Sequence, residues 1–513
     1  MNLSFDQSAD RGFLLWVLGA CTVLSVALSA WCIYIDDVIN NDGVEYIRAA
    51  ERLALGDWTG ALSLYKWPFY PLFMLIVGKV TGVGYQMAGH IANSVLLSAV
   101  VALFVLTVRA LGGTSRRLTL LAALVALIHP AFNEYRAFII RDPGYLVGYL
   151  AGVYFLFRYC RCARPRYYVG VLVGFAFASL FRIEGLVFLF CSPILIVLTR
   201  TQPVRSLGLL ATFASIVGVL LATVLGWWAL VPDGAVKFSI LSDPVQIIST
   251  AWDQIASGIN KKISILQQHF LGPFSARYSY LLFGLTVPMI IVSTTISQLT
   301  VPWFVLTVFG LRNDSGFANH IQARTWINLM LLHLMILATF VLIMLFLVDR
   351  YLLGFSVTAL LLIPFVLDNV LGKLRWQDFN RIKQVLIVIL LLWGVGESVS
   401  GLDNFTRHQH LKEAGLWLAG QTAISGSLVS NDRKVAYYAG RHADLENIVP
   451  SFGVLDNGLK KKRWPEAEYI AVVCNLDLCQ KIIKHFKIVW KYDQIKVFSG
   501  HKAGKVLIYR LRR

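Results

Sequence analysis

Charge is scarce in this chain. Only 15% of its 513 residues are Asp, Glu, Lys or Arg, whereas 57% are hydrophobic and the mean hydropathy is +0.64. A soluble protein of this size is excluded, and a polytopic membrane protein is what remains. The motifs of soluble-cofactor chemistry are also missing. There is no phosphate-binding glycine loop of either standard spacing, no Asp-x-Asp pair of the kind that holds a nucleotide-sugar metal, and no Gly-x-Ser-x-Gly elbow. The seven cysteines are odd in number and lie mostly in apolar segments, which argues against a disulfide framework. No internal repeat or low-complexity linker interrupts the chain.

What charge there is leans positive, with a net +18 and a pI near 9.6. The basic residues form no single patch and no nucleic-acid reader motif, so nucleic acid is not expected as a partner. They fall instead in short loops between apolar runs of about 17 to 25 residues, of which there are about eleven. The runs are Gly12 to Tyr34, Gln86 to Val108, Leu118 to Phe132, Pro143 to Phe157, Tyr167 to Phe181, Gly185 to Leu198, Leu207 to Val231, Leu281 to Phe309, Ile327 to Val348, Tyr351 to Leu371 and Gln384 to Val399. A shorter piece, Pro68 to Val83, suggests a re-entrant or interfacial helix, and Pro288 and Pro302 suggest kinks in the eighth run.

Basic loops stay in the cytoplasm. Placing the N-terminus inside puts the loops with Arg109 and Arg116, with Arg158 to Arg166, with Arg200 and Arg205, with Arg312 and Arg324, and with Lys373 to Lys383 on that side. The loop 35–85, the segment Asn133 to Asp142, the turn at Arg182 and Glu184, the loop Pro232 to Tyr280, the pair Asp349 and Arg350, and everything from Gly401 onward then face outward. The expectation is a multi-pass protein of the cell inner membrane, with residues 1–400 in the membrane and an extracytoplasmic (periplasmic) domain at 401–513. That tail alternates the strand-like runs 428–430, 469–474, 487–490 and 505–510 with helix-like stretches such as 410–421, so it reads as a small α/β domain. Cys474 and Cys479 lie in it and can pair in an oxidising compartment, whereas a zinc site would need two further ligands that the sequence does not point to. Asn404-Phe-Thr406 fits a glycosylation acceptor, and the run 459–464 is a basic, solvated face that can lie against anionic lipid.

The stretch Ile35 to Tyr70 is the first long polar interruption, with six acids: Asp36, Asp37, Asp42, Glu45, Glu51 and Asp57. Asn41 or Asp42 can cap a helix beginning near Gly43 and running to Leu55, with Gly56 as its stop. Val44, Ile47, Ala50 or Glu51, and Leu55 mark one face, while Asp42 shares a side of the first turn with Glu45 and Tyr46. A carboxylate placed there can take a proton from a sugar hydroxyl, although an Asp before Gly at a helix start also serves simply as a cap. Asp36 and Asp37 read as solvated residues at the membrane exit, and Asp57 as a turn residue. His129 and His333 read as hydrogen-bonded bundle residues.

The run Asp42-Gly-Val-Glu-Tyr46 through Gly56-Asp57-Trp58, then Lys66-Trp-Pro68, resembles the first external loop of GT-C glycosyltransferases. The family 39 type is the one it resembles most: bacterial relatives of the dolichyl-phosphate-mannose protein mannosyltransferases and the lipid A aminoarabinose transferases. There the loop reads Asp-Glu-x-x-Tyr, a helix, Gly-Asp-Trp and Lys-Pro; here Gly43 replaces the Glu, and Trp67 is inserted before the Pro. Arg350-Tyr351 resembles the family's Arg-Tyr-Leu-Leu-Pro run with Gly354 at the Pro, and Arg141-Asp142 and Arg182-Ile-Glu184 resemble further family elements. The resemblance implies a mainly α GT-C-like bundle. It also implies inverting transfer of a sugar from a polyprenyl-phosphate donor to a hydroxyl or amine of a glycan, lipid or protein acceptor. Asp42 would be the base, with Glu45 the only near substitute for the missing acid. Lys66, Arg350, Arg182, Arg141 and Tyr351 would meet the donor phosphate, with a divalent metal left open. The alternatives are a transporter or flippase for lipid-linked glycans, which should carry charges at midspan, and an O-antigen ligase or polymerase, whose large loop would correspond to Pro232 to Tyr280.

Overall fold

The structure is a computed structural model. It describes residues 3–199, 213–214, 218, 244–312, 320–370, 381–400, 408–421, 427–440, 449, 452–461, 463–464, 467–474, 479–480, 482, 492–500 and 504–511. The chain divides into two compact units. One comprises Met1–Ala27, Ser94–Tyr135 and Arg141–Leu402; the other comprises Leu28–Asn93, Arg136–Ile140 and Asp403–Arg513. The helices begin in chain order with α1 (Leu3–Ile35), α2 (Asn41–Ala54), α3 (Trp58–Leu64), α4 (Phe69–Thr81), α5 (Tyr85–Leu111), α6 (Arg116–Ile128), α7 (Pro130–Asn133), α8 (Asp142–Cys162), α9 (Pro165–Phe181) and α10 (Glu184–Thr199).

The protein is a mainly helical membrane protein. Among the described residues, Asp10–Ile35, Tyr85–Leu111, Ala276–Leu299 and His320–Met344 are long and apolar enough to cross a bilayer, and Phe69–Thr81, Pro165–Phe181, Glu184–Thr199 and Gln384–Ser400 are shorter apolar helices. Expected spans are interrupted at three places. The run Leu118 to Phe132 breaks at His129 because Pro130 starts a new turn, leaving α6 with 13 residues, about 20 Å against a hydrocarbon core of about 30 Å. The run Tyr351 to Leu371 is broken into Asp349–Leu352, Leu353–Leu360 and Ile363–Asp368, with Pro364 in the first turn of the last piece. Every residue from Leu352 to Leu367 is buried, as membrane-depth backbone must be where a helix is interrupted. The eighth run breaks at Thr300, which has φ +60, just before Pro302, while Pro288 stays inside its helix. The expected span Leu207 to Val231 and the Asn404 tripeptide lie almost wholly or wholly outside the described residues. Of the loop Pro232 to Tyr280, the described part forms the helix Pro244–Ile265 followed by short turns.

Within the first unit, α8 and α9 form the tightest pair, and glycine spacing explains why. A Cβ added at Gly144 would lie 2.4 Å from the Phe181 ring, at Gly148 2.3 Å from the Ala178 nitrogen, and at Gly152 2.5 Å from the Phe175 ring. Three glycines four residues apart thus make a groove for α9, the usual small-residue solution where lipid offers no hydrophobic drive between helices. The antiparallel hairpin sets the start of α8 beside the end of α9. His333 lies deeper, hydrogen-bonded to the Tyr149 hydroxyl at 2.9 Å, and His129 Nδ1 accepts from Ala131 N–H at 3.1 Å. Both are bundle histidines with structural partners.

In the second unit, the tail forms a four-stranded sheet, β1 (Ser427–Ser430), β2 (Ala467–Cys474), β3 (Tyr492–Ser499) and β4 (Lys505–Leu511), in the order β1-β2-β4-β3. β1 is parallel to β2, and the other two pairings are antiparallel. Alternation along the strands sorts two cores. Val429, Ile470, Val472 and Leu507 face Leu455, Leu459 and Ile482 on one side, while Leu428, Ala471, Val506 and Ile508 face Leu411, Ala414 and Val435 on the other. β3 escaped the sequence reading because as an edge strand it is mostly exposed and polar; the expected strand 487–490 lies outside the described residues. Cys474 and Cys479 are joined in a disulfide, which closes a short loop and contributes about 2 kcal/mol by the chain-entropy relation.

His410 is 3% exposed against this sheet, and neither ring nitrogen has a hydrogen-bond partner among the described residues. Burial lowers its pKa from 6.5, Lys434 adds to that, and Asp432 and Glu413 oppose it. A depressed folded-state pKa means that the unfolded chain binds the proton first. The tail therefore keeps this contribution above 6.5 and loses it as pH falls towards the lower folded value. Thermal unfolding of the purified protein between pH 7.5 and 5 should show a falling midpoint that His410→Phe flattens; parallel curves would refute this.

Candidate functional site

Residues 35–93 fold as one interlocked piece. α2 starts at Asn41, two residues earlier than expected, with Asn40 as its extended cap residue. Asn40 does not cap with its side chain. Its amide instead clasps Ile139, donating to the carbonyl at 3.1 Å and accepting from the N–H at 2.8 Å. Asp42 is therefore not the cap: it stands half-exposed in the first turn, where the helix dipole favours a negative charge.

The clasp also accounts for Gly43. A Cβ there would lie 2.9 Å from Asn40 Oδ1, 3.0 Å from Ile39 Cγ1 and 3.1 Å from Ile139 Cβ. A glutamate after Asp42 would have to displace these neighbours. Val44, Ile47 and Ala50 are buried as the pattern predicted, with Leu53 as the fourth member, whereas Leu55 lies past the helix and is 82% exposed. Gly56 stops the chain at φ +77, and Asp57 caps α3 by accepting from Gly60 N–H at 2.8 Å. Tyr46 packs edge-on against Tyr65 and Tyr70, each 4.9 Å away, and Tyr70 donates to Asn93. Lys66 is exposed on the turn before α4.

The acids beside Asp42 have other work. Glu45 is paired with Arg433, and Asp37 with Lys412. The Tyr438 hydroxyl accepts from Ile39 N–H at 2.9 Å and donates to the Asp37 carbonyl at 3.1 Å. Burial holds the Tyr438 phenol above its ordinary pKa, so it remains an O–H donor. Tyr437 donates to Gln86, which in turn donates to the Asp37 carbonyl. Asp37 is thus a docking residue whose carboxylate stays partly solvated. These ion pairs are partly exposed and are worth about 0.5 kcal/mol each, with about 1 kcal/mol for each tyrosine hydrogen bond. Their weight lies in number and placement. Arg433, Lys412, Tyr437 and Tyr438 were not singled out from sequence, because nothing local marks a partner hundreds of residues away.

The first unit gathers a second set. Arg182, 4% exposed, pairs with Asp142, 2% exposed, and with Glu184. Its guanidinium lies over the rings of Tyr145 at 5.6 Å and Tyr351 at 5.0 Å. Burial works against this charge, but Asp142 and Glu184 outweigh it, and the pKa is raised. Arg350 Nε lies 3.8 Å from the other Asp142 oxygen and stays 27% exposed. Arg141 is the residue before α8, half-buried, beside Asp142. Arg141-Asp142 and Arg182-Ile-Glu184, separable motifs in the sequence, are thus one network, with three cations against two carboxylates. Arg182 spends its donors on Asp142 and Glu184. Asp142, which the site assignment from sequence passed over, is its hub. Gly354 has a steric reason too: a Cβ there would meet His333 Cε1 at 2.8 Å and Tyr145 Oη at 2.9 Å. Among the described residues no three His, Cys, Asp or Glu side chains gather as a metal site.

No family model matches the sequence, and no curated protein matches it. Solved structures do. An oligosaccharyltransferase of Archaeoglobus fulgidus in its apo form is similar over 89% of this chain and 69% of its own, with a TM-score of 0.53 at 12% identity. ArnT of Cupriavidus metallidurans aligns over 98% of both chains in the apo state, with a TM-score of 0.46 at 13% identity. Bound to undecaprenyl phosphate, it aligns over 97% of this chain and 98% of its own, with a TM-score of 0.48 at 12% identity. The chain has the fold of that oligosaccharyltransferase, the GT-C fold.

Removing one partner of a buried charge is costly, so Asp142→Asn should destabilise the protein by about 3 kcal/mol, read as a lowered thermal midpoint in detergent, while Arg350→Ala should cost clearly less. Equal effects would deny the Asp142 hub. Gly43→Glu, which introduces the second acid of the pattern that the loop resembles, should destabilise by about 1 to 3 kcal/mol through overpacking; a variant as stable as the parent would show that the Asn40 clasp yields.

Proposed function

We propose that this protein is an integral membrane glycosyltransferase that moves a sugar from a polyprenyl-phosphate donor to a hydroxyl or amine on a glycan, lipid or protein acceptor, with inversion. The observation that carries the reading is the place of Asp42, in the first turn of α2, on a GT-C fold. Asp42 takes the proton of the acceptor hydroxyl as its oxygen attacks the anomeric carbon. The bond from that carbon to the phosphate oxygen breaks, and the polyprenyl phosphate leaves with the electron pair. A phosphate leaving group needs positive charge more than a proton donor. Lys66 is exposed and Arg350 is less buried than Arg182, and both match cationic elements of the pattern that the sequence resembles, so these two are assigned to the phosphate. Arg141 and Tyr351 stand as secondary contacts. Arg182, covered by its carboxylates, orders this set rather than meeting the donor.

Residues 1–400 are assigned to the membrane and 401–513 to the outer, periplasmic side of the inner membrane, with the N-terminus in the cytoplasm. The Cys474–Cys479 disulfide supports that side, since oxidising compartments preserve such bonds. Turnover with a polyprenyl-phosphate sugar should fall by about 10² to 10⁴ in Asp42→Asn, the usual share of a general base, while donor binding is retained. Lys66→Ala should weaken donor binding. Normal turnover by Asp42→Asn removes it from the mechanism, and unchanged donor affinity in Lys66→Ala removes the phosphate contact. Mass spectrometry of envelope glycans and lipids from a strain lacking the protein identifies sugar and acceptor together.

A further inference from the structure

We infer that the helix Arg433–Tyr438 of the tail is a positioning element for the helix that carries Asp42, with Arg433 and Tyr438 as positioning residues; this rests on the reading of Asp42 as the base. The contacts bracket that residue. Tyr438 holds the backbone at Asp37 and Ile39, and Lys412 holds the Asp37 carboxylate, all before the helix begins. Arg433 holds Glu45, one turn after Asp42. Grip on both sides of a short segment fixes where the first turn of α2 points, which no single contact does.

The gripping helix is itself rigidly mounted. The Asp432 carboxylate caps it, accepting from Lys434 N–H at 2.8 Å. Val435 and Ala436 are buried, and Val435 packs with Leu411 and Ala414. At Gly415 the backbone of the helix Gln409–Ala419 comes so close that a Cβ would lie 2.5 Å from Tyr438 Cβ and 2.8 Å from the Val435 carbonyl. The route is therefore continuous: tail core, helix Arg433–Tyr438, residues 37 to 45. Lys412 also lies 5.7 Å from the Tyr438 ring centroid, which ties the two anchoring side chains to each other. The tail is on this reading a working part of the transferase rather than an appendage.

The experiment uses the full-length protein in detergent or nanodiscs, with Arg433→Glu, Glu45→Arg, their charge-swapped double variant, Tyr438→Phe, and Arg433→Lys as the conservative form. Arg510→Ala, which breaks the Arg510 to Glu468 pair in the sheet, controls for loss of an ion pair in the same domain. Arg433→Glu and Tyr438→Phe should lower kcat by about tenfold to a hundredfold, the scale of a small misplacement, with donor KM unchanged. The double swap and Arg433→Lys should recover most of that loss, and Arg510→Ala should leave kcat at the parent value. Amide hydrogen exchange across residues 37–47 should quicken in Arg433→Glu and not in Arg510→Ala. Unchanged exchange there, or a charge swap no better than its single variants, overturns the proposal. Exchange needs no turnover, so if Asp42→Asn proves fully active the base assignment falls while the clamp is still decided.

Discussion

A guanidinium removed from water has to meet its counter-charges at fixed positions, and in the helical unit that requirement falls on Arg182. Coulomb attraction in a poorly solvated site is strong enough to outweigh the burial penalty only with good geometry and satisfied donors. Asp142 and Glu184 provide the charge, and the faces of Tyr145 and Tyr351 provide the rest of the shell. Asp142 belongs to the first turn of α8 and Arg182 follows the last turn of α9, so the pair exists only if the two helices run close to their ends. The glycines at 144, 148 and 152 permit that approach. Packing and electrostatics in this unit are thus one condition: fill the groove at Gly148 and the ion pair above it loses its register.

The other unit solves a different problem. A long polar segment between membrane-associated helices buries one apolar face along α2, and the backbone and charges outside that face must find hydrogen bonds or remain solvated. Here it finds both local and distant partners. Asn40 clasps Ile139, Asp57 caps α3, and the tail contributes Arg433, Lys412 and Tyr438. The loop is ordered by these polar contacts together with the buried face of α2. That suits a segment presenting a carboxylate, because rigidity is obtained without covering the first turn of the helix in apolar side chains.

Much of this was legible in the sequence, and what was not has a physical cause. Helix α2, its buried face and its stop at Gly56 follow from periodicity and left-handed glycine chemistry. The α/β tail follows from strand-length apolar runs. The start of α2 was misplaced by two residues because Asn41 and Asp42 are both good caps by type, while the deciding contact, Asn40 with Ile139, spans ninety-nine positions. The broken segment around Leu353 read as a continuous span because hydropathy cannot separate burial in lipid from burial in protein. The ion pair of Glu45 was hidden for the same kind of reason: its cation, Arg433, lies far away in the sequence.

Two departures from the family's pattern acquire the same explanation. At 43 and at 354 this chain has glycine where the pattern that its sequence resembles carries Glu and Pro. At both, a β-carbon would meet neighbouring side chains at about 3 Å or less, closer than van der Waals contact allows. Neither glycine is therefore a simple deletion of a functional group. Each marks a place where backbone has moved in against a neighbour: the Asn40 to Ile139 clasp in one case, His333 and Tyr145 in the other. The consequence is local: a longer side chain at 43 would have to displace the Asn40 clasp, and Glu45, one turn on, is paired with Arg433 of the tail.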